Sequence, residues 1–232
     1  MSLRETEHQI LRSMSARHRQ VASHCDVVSE GDCPSEVSLI SSGFACRYKQ
    51  LQSGLRQITG FLIPGDICDL RAALVGRMDH SVAALRACEI AVIPHRLLRG
   101  EIEKQPRLMY ALWKETILEA SICREWVTNV GRRDAYRRLA HLFCEVWCRL
   151  RVQGLASDHS FEFPVTQSEL ADAVGLSVVH VNRTIQQMRA EGLISFRSHS
   201  VTLLDRDGLQ EVAEFDPEYL QVSSPACRTA TD

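Results

Sequence analysis

The side chains with the most chemical reach in this chain stand together at residues 177–183, SVVHVNR. Arg183 can bond bidentately to guanine O6 and N7 or clamp a phosphate, Asn182 suits the edge of adenine, and Val178 and Val179 can rest on a thymine methyl. His180 lies beside them, and Ser177 opens the segment. Upstream, Gln167 and Ser168 can donate to a phosphate, and Arg197 downstream can reach a sugar–phosphate backbone. An arginine or an asparagine alone is an ordinary surface residue. The reading depends on whether the chain holds these side chains on one face.

The elements that would hold them are legible at residues 163–194. Thr166 followed three residues later by Glu169 is a capping box. Leu170, Ala171 and Val174 give a short helix an apolar stripe, and Gly175 ends it. Ser177 can cap a second helix in which Val181, Ile185 and Met188 recur at helical spacing, and Gly192 stops it. With those three inward, Val179, Asn182 and Arg183 face outward. Short helix, glycine turn, longer capped helix is the layout of a helix-turn-helix, whose second helix enters the major groove in DNA-binding examples. The bland alternative is a helical hairpin inside a globular core.

Composition excludes several function classes. The 232 residues are 45% hydrophobic and 24% charged, enough for one or two domains with cores of their own. No apolar run is long enough to span a membrane, and the polar start has no signal core, so a cytoplasmic protein is expected. No paired carboxylates in a recognisable context, nucleophile motif, phosphate-cradling loop or HExxH occurs, so catalysis is not expected. Net charge is −2, giving no global attraction to nucleic acid. Arg132, Arg133, Arg137 and Arg138 cluster before the helix-turn-helix and form either a local basic surface or a solvated helix start. The nine cysteines match no common zinc or iron–sulfur spacing, and most read as small buried apolar residues.

In chain order, residues 1 to about 20 predict a helix. From Val27 to about Pro94, short apolar runs are punctuated at Gly31-Asp32, Ser42-Gly43, Ser53-Gly54 and Pro64-Gly65-Asp66, the pattern of an antiparallel barrel or roll. A short helix and loop at residues 67–77 interrupt it, and another short helix starts at His95. Pro106 opens a long helix. On it Met109, Trp113, Thr116, Ala120, Cys123, Val127 and Val130 alternate four and three residues apart, a heptad stripe suited to a partner helix. Leu112, Leu118 and Ile122 form a second stripe that can cover the roll. Gly131 is expected to break this helix, and Asp134 to cap the next. After the helix-turn-helix, ISFRSHSVTLL predicts two strands about a turn at 197–200, a wing. A last helix is expected from Leu209 to Leu220, then a disordered tail. The domains follow: a roll with flanking helices at 1–105, a dimerisation helix at 106–131, a winged helix-turn-helix at 132–222 and a tail at 223–232.

A glycine-punctuated roll, a long heptad helix and a winged helix-turn-helix, in that order, resemble the Crp-Fnr superfamily of bacterial transcription regulators over nearly the whole chain. The most specific parts are the PGD turn at residues 64–66 with the strand pair to Ile93, and TQSELADAVGLSVVHVNRTIQQMRAEGLI. The resemblance implies an α+β fold: an N-terminal antiparallel β-roll of the cyclic-nucleotide-binding kind, a long dimerisation helix and a C-terminal winged helix-turn-helix. It further implies a homodimer on double-stranded DNA, each recognition helix reading half of a two-fold symmetric site. RNA polymerase is a partner that activators of the family require, and no pattern marks its patch.

The departures narrow the signal. Cyclic-nucleotide-binding members carry a Gly-Glu pair, then Arg-Ser or Arg-Thr before Ala, the arginine pairing with the phosphate. Here the matching positions are Cys68-Asp69-Leu70 and Asp79-His80-Ser81-Val82. Cyclic-nucleotide control is not expected, nor is an iron–sulfur cluster on Cys25 and Cys33. The glutamate usual near the start of the recognition helix is replaced by Val179, which predicts a distinct operator. Three sensing readings stay open beside inert ones: an intersubunit disulfide at Cys123, a metal on Cys144 and Cys148 with His141, and haem or a metal on His80. No cofactor is predicted from the sequence. A protein that senses nothing, or an interaction module with a vestigial DNA-binding domain, are the remaining alternatives.

Overall fold

The structure is a computed structural model that describes residues 9–221 apart from Arg12 and Ala16. The tail expected at 223–232 lies outside the described residues. The chain divides into two compact units, Met1–Ala120 and Ser121–Asp232.

The first unit is built on two antiparallel sheets. Strands β1 (Arg17–Val21), β7 (Cys88–Pro94) and β3 (Glu36–Ser42) form one, in the order β1-β7-β3. Strands β2 (Asp26–Val28), β6 (Ser81–Ala84), β4 (Ala45–Gln50) and β5 (Arg56–Leu62) form the other, in the order β2-β6-β4-β5. The run CEIAVIP in β7 shows why the pattern is nearly continuous rather than alternating. Cys88, Ile90 and Val92 point into the core they share with Val28, Ala45, Leu62, Val82 and Cys68. Ala91 and Ile93 point the other way, into a second core with Val37, Leu39, Leu98, Leu108, Ala111 and Leu112. A strand buried on both faces has no polar side to show.

Helices α1 (Leu70–Val75), α2 (His95–Lys104) and the first turns of α3 (Pro106–Arg132) supply that second core. Two glycines are required by geometry. Gly43 has φ +97°, and a Cβ there would stand 2.4 Å from the carbonyl oxygen of Ala87. Gly65 has φ +100° in the turn where Asp66 N–H bonds Ile63 O at 3.0 Å and the Asp66 carboxylate accepts from Ile63 N–H at 2.9 Å. The helix expected over residues 1 to about 20 is corrected. Residues 9–11 are helical, but Arg17–Val21 pairs with β7 from Arg17↔Val92 to Val21↔Cys88. The polar RHRQ hid this strand because only Val21 is buried, while the β7 edge demands a backbone partner.

The second unit is centred on α4 (Ala135–Val152), which buries residues from Leu139 through Cys148 almost without a break, together with Leu150. Around it stand α5 (Gln167–Val174), α6 (Val178–Ala190), α7 (Arg206–Ala213) and an antiparallel sheet in the order β8 (Ser160–Glu162), β10 (Ser200–Leu203), β9 (Ile194–Arg197). Helix α3 runs 27 residues, about 40 Å at 1.5 Å per residue. Gly131 does not break it: the helix continues to Arg132, and Asp134 caps α4 by accepting from Tyr136 and Arg137 N–H. The Arg138 guanidinium explains the stop, donating to Val130 O at 2.8 Å and Arg133 O at 2.9 Å. The last helix also differs from expectation. It is α7 at 206–213, then a separate 3₁₀ turn at Pro217–Leu220, because Glu214 takes φ +50° and ends the first piece.

Candidate nucleic-acid interface

Helices α5 and α6 are each capped at the start. Thr166 Oγ1 accepts from Glu169 N–H at 3.2 Å while the Glu169 carboxylate accepts from Thr166 N–H at 2.6 Å. Gly175, at φ +65°, turns the chain after α5, and Ser177 Oγ accepts from His180 N–H at 3.2 Å. The two caps leave orphan N–H groups satisfied without side chains from elsewhere. Val181, Thr184, Ile185 and Met188 are buried, fixing the rotation of α6 about its axis.

That rotation exposes Ser177, Val178, Val179, Asn182 and Arg183 and leaves His180 half-buried. Val179 is 80% exposed, unusual for a valine, and Val178 44%. Gln167 and Ser168 are exposed on the first turn of α5. The Asn182 amide N–H donates to Gln167 Oε1 at 3.1 Å. Each residue was expected at this face, but their pairing was not; fifteen residues apart on different helices, they give no local signal. Arg197 is exposed at the end of β9, beside a two-residue turn in which Ser198 (φ +50°) and His199 (φ +62°) are both left-handed, as a tight hairpin of this twist needs. Phe163 N–H bonds His199 O at 2.7 Å, tying the wing tip to the strand that leads into α5.

Three of the four arginines before the helix-turn-helix are engaged within this unit, while Arg132 is exposed. Arg133 pairs with Glu125 at 2.7 Å and Arg137 with Glu214 at 2.7 Å. Arg138 donates to Val174 O as well as to the end of α3, holding the last turns of α3 and α5. Positive charge on this face falls to residues such as Arg183 and Arg197.

On α3, Met109, Trp113, Thr116, Cys123 and Val127 are exposed, and Ala120 and Val130 half-buried. Trp113 is 60% and Val127 69% exposed. Of the second stripe, Leu112 is buried in the roll's core while Leu118 and Ile122 are half-buried.

The sensing candidates separate. Cys123 is exposed, and Cys144 and Cys148 are buried; burial pushes the Cys144 thiol well above its ordinary range. The surroundings of Cys144 and Cys148 favour the inert reading over a metal held with His141. His141 Nε2 faces Glu125 Oε1 at 3.3 Å and its ring stacks on Tyr219, and among the described residues no three His, Cys, Asp or Glu side chains are placed to hold a metal ion. The hydrogen bond with His141, and then Arg133, bring Glu125 down to about 2 against the effect of burial. The His80 side chain is 17% exposed, with Nδ1 2.8 Å from Asp79 Oδ1.

In the roll, the Asp79 carboxylate is engaged by Arg71 at 3.1 Å and by His80. Asp69 is buried, accepting from Ser38 N–H at 2.7 Å.

The geometry defines a class: a winged helix-turn-helix joined by a long helix to a β-roll. Residues 18–105 match the cyclic nucleotide-binding domain and residues 137–212 the Crp-like helix-turn-helix domain. The chain is 30% identical over 214 residues to the nitrogen fixation regulation protein FixK of Bradyrhizobium diazoefficiens, covering 91% of this chain and 85% of that one. It is 23% identical over 212 residues to the fumarate and nitrate reduction regulatory protein of Shigella dysenteriae, covering 91% and 84%. The solved structure of FixK2 from Bradyrhizobium japonicum superposes with a TM-score of 0.76 at 21% identity, over 84% of this chain and 96% of that one. The chain belongs to the Crp-Fnr family of transcription regulators and carries its helix-turn-helix DNA-binding domain. Its relatives are regulators, not enzymes, and no described helix is long and apolar enough to cross a membrane.

Proposed function

We propose that this regulator acts as a homodimer, paired along α3, that reads a two-fold symmetric duplex site by placing the start of α6 in the major groove of each half-site. The observation that carries the reading is the capped, outward face of α6, where Val179, Asn182 and Arg183 stand exposed beside Gln167 and Ser168. Arg183 contacts guanine or a phosphate, the valines meet thymine methyls, and Arg197 on the wing meets the backbone. The exposed stripe from Met109 to Val130 supports the pairing, since so many large apolar side chains in a row are costly to leave in water. Control by a cyclic nucleotide is not expected, because His80 stands where the family's phosphate-binding arginine would be, with the Asp79 carboxylate beside it.

The test is the affinity of Arg183→Ala for a site selected by the wild type from a random duplex pool. A loss of at least about tenfold is expected. Unchanged binding refutes the role of Arg183, and failure of the wild type to enrich any sequence refutes groove reading altogether.

A further inference from the structure

The contact between Asn182 and Gln167 is not needed to assemble the helix-turn-helix. Helix α5 has its capping box, α6 has Ser177, and the buried faces carry Leu170, Ala171, Val174, Val181 and Ile185. A single hydrogen bond between two exposed amides adds little stability in water. What it does is orient. A free asparagine amide can turn over about its last torsion and offer either its oxygen or its NH₂ to a neighbour. With one Nδ2 N–H given to Gln167 Oε1 at 3.1 Å, Asn182 keeps one N–H donor and its Oδ1 acceptor for any other partner. Adenine offers the complement in the major groove, an N6 donor beside the N7 acceptor, whereas guanine offers two acceptors.

We propose that Gln167 is a positioning residue that fixes the amide of Asn182 and so confines it to adenine. Selectivity at that base pair then belongs to two helices acting together. Gln167 contributes through Asn182 rather than through a phosphate. The inference rests on the proposed reading of the major groove by α6.

The experiment uses the full chain and the duplex site enriched by the wild type from a random pool. Binding of wild type, Asn182→Ala, Gln167→Ala and Gln167→Glu is measured on that site and on single-base-pair variants across one half-site. Asn182→Ala is expected to identify one position where the wild type prefers A·T by about tenfold. Gln167→Ala should reduce the preference there to about threefold or less while other positions keep theirs. Glutamate at 167 is an acceptor only, so it still takes the Asn182 N–H. Gln167→Glu should bind more weakly beside phosphates yet retain the preference, a rescue that a phosphate-contact role would not give. Wild-type discrimination in Gln167→Ala, a uniform loss at all positions, or an Asn182→Ala profile with no altered position each overturns the proposal. If the wild type enriches no sequence, groove reading fails and takes this inference with it, whereas the other failures leave groove reading intact.

Discussion

Single side chains in the second unit hold polar groups where little water reaches. Glu145 is fully buried and accepts from Trp126 Nε1–H at 2.9 Å and from Tyr219 O–H at 2.6 Å. Removing one donor leaves a buried carboxylate under-satisfied, so Tyr219→Phe should lower stability by roughly 1–3 kcal/mol, read from urea unfolding; a midpoint equal to wild type would contradict the role. In the first unit, burial pushes the Asp69 carboxyl from 3.8 up to about 6, against the hydrogen bond from Ser38 and the charges of Arg19 and Arg47. The sign follows from proton binding. A folded pKa above the unfolded one means that the folded state holds the proton more tightly. This contribution to stability is complete below 3.8 and lost as pH rises through about 6. Asp69→Asn should flatten that part of the curve, tested by unfolding midpoints across the interval; an unaltered slope would count against it. None of these partners could be inferred from spacing, because Glu145, Trp126 and Tyr219 meet only after three elements have packed.

At the scale of elements, the recognition helix is specified by its ends. Ser177 supplies a side-chain cap of α6, so Ser177→Ala is expected to cost about 1 kcal/mol and to weaken DNA binding through fraying of the turn that carries Val178 and Val179. Circular dichroism during denaturation and affinity for the selected site check both parts, and a stability loss without an affinity loss would separate the cap from the reading face. The caps were legible in the sequence because a capping box and a left-handed glycine are local devices, complete within four or five residues. Strand β1 was not, since its partner β7 lies some seventy residues away and its own side chains are mostly exposed. The break after α3 was misplaced at Gly131 for a related reason: glycine permits a helix to end, but Arg138, reaching back from α4, decides where it does.

For the whole molecule, one exposed apolar stripe among the described residues runs along α3. Met109, Trp113 and Val127 are large, apolar and exposed, and the proposed homodimer covers them. Replacing Trp113 and Val127 together by glutamate should yield a monomer in sedimentation equilibrium, with the site-binding affinity falling at least about tenfold because two linked reading heads become one. A double variant that still sediments as a dimer would place the interface elsewhere.

Residue order alone specifies what is local or periodic: the two capped helices, the outward Val178, Val179, Asn182 and Arg183, the heptad stripe, the glycine corners of the roll and the wing. Each depends on interactions within one element, so its signal survives in the order of residues. How those parts are joined depends on packing between elements. It gave Arg133, Arg137 and Arg138 carboxylate and carbonyl partners, turned His141 toward Glu125, and joined Asn182 to Gln167. Such pairings depend on distances between elements, which packing sets and no spacing along the chain records.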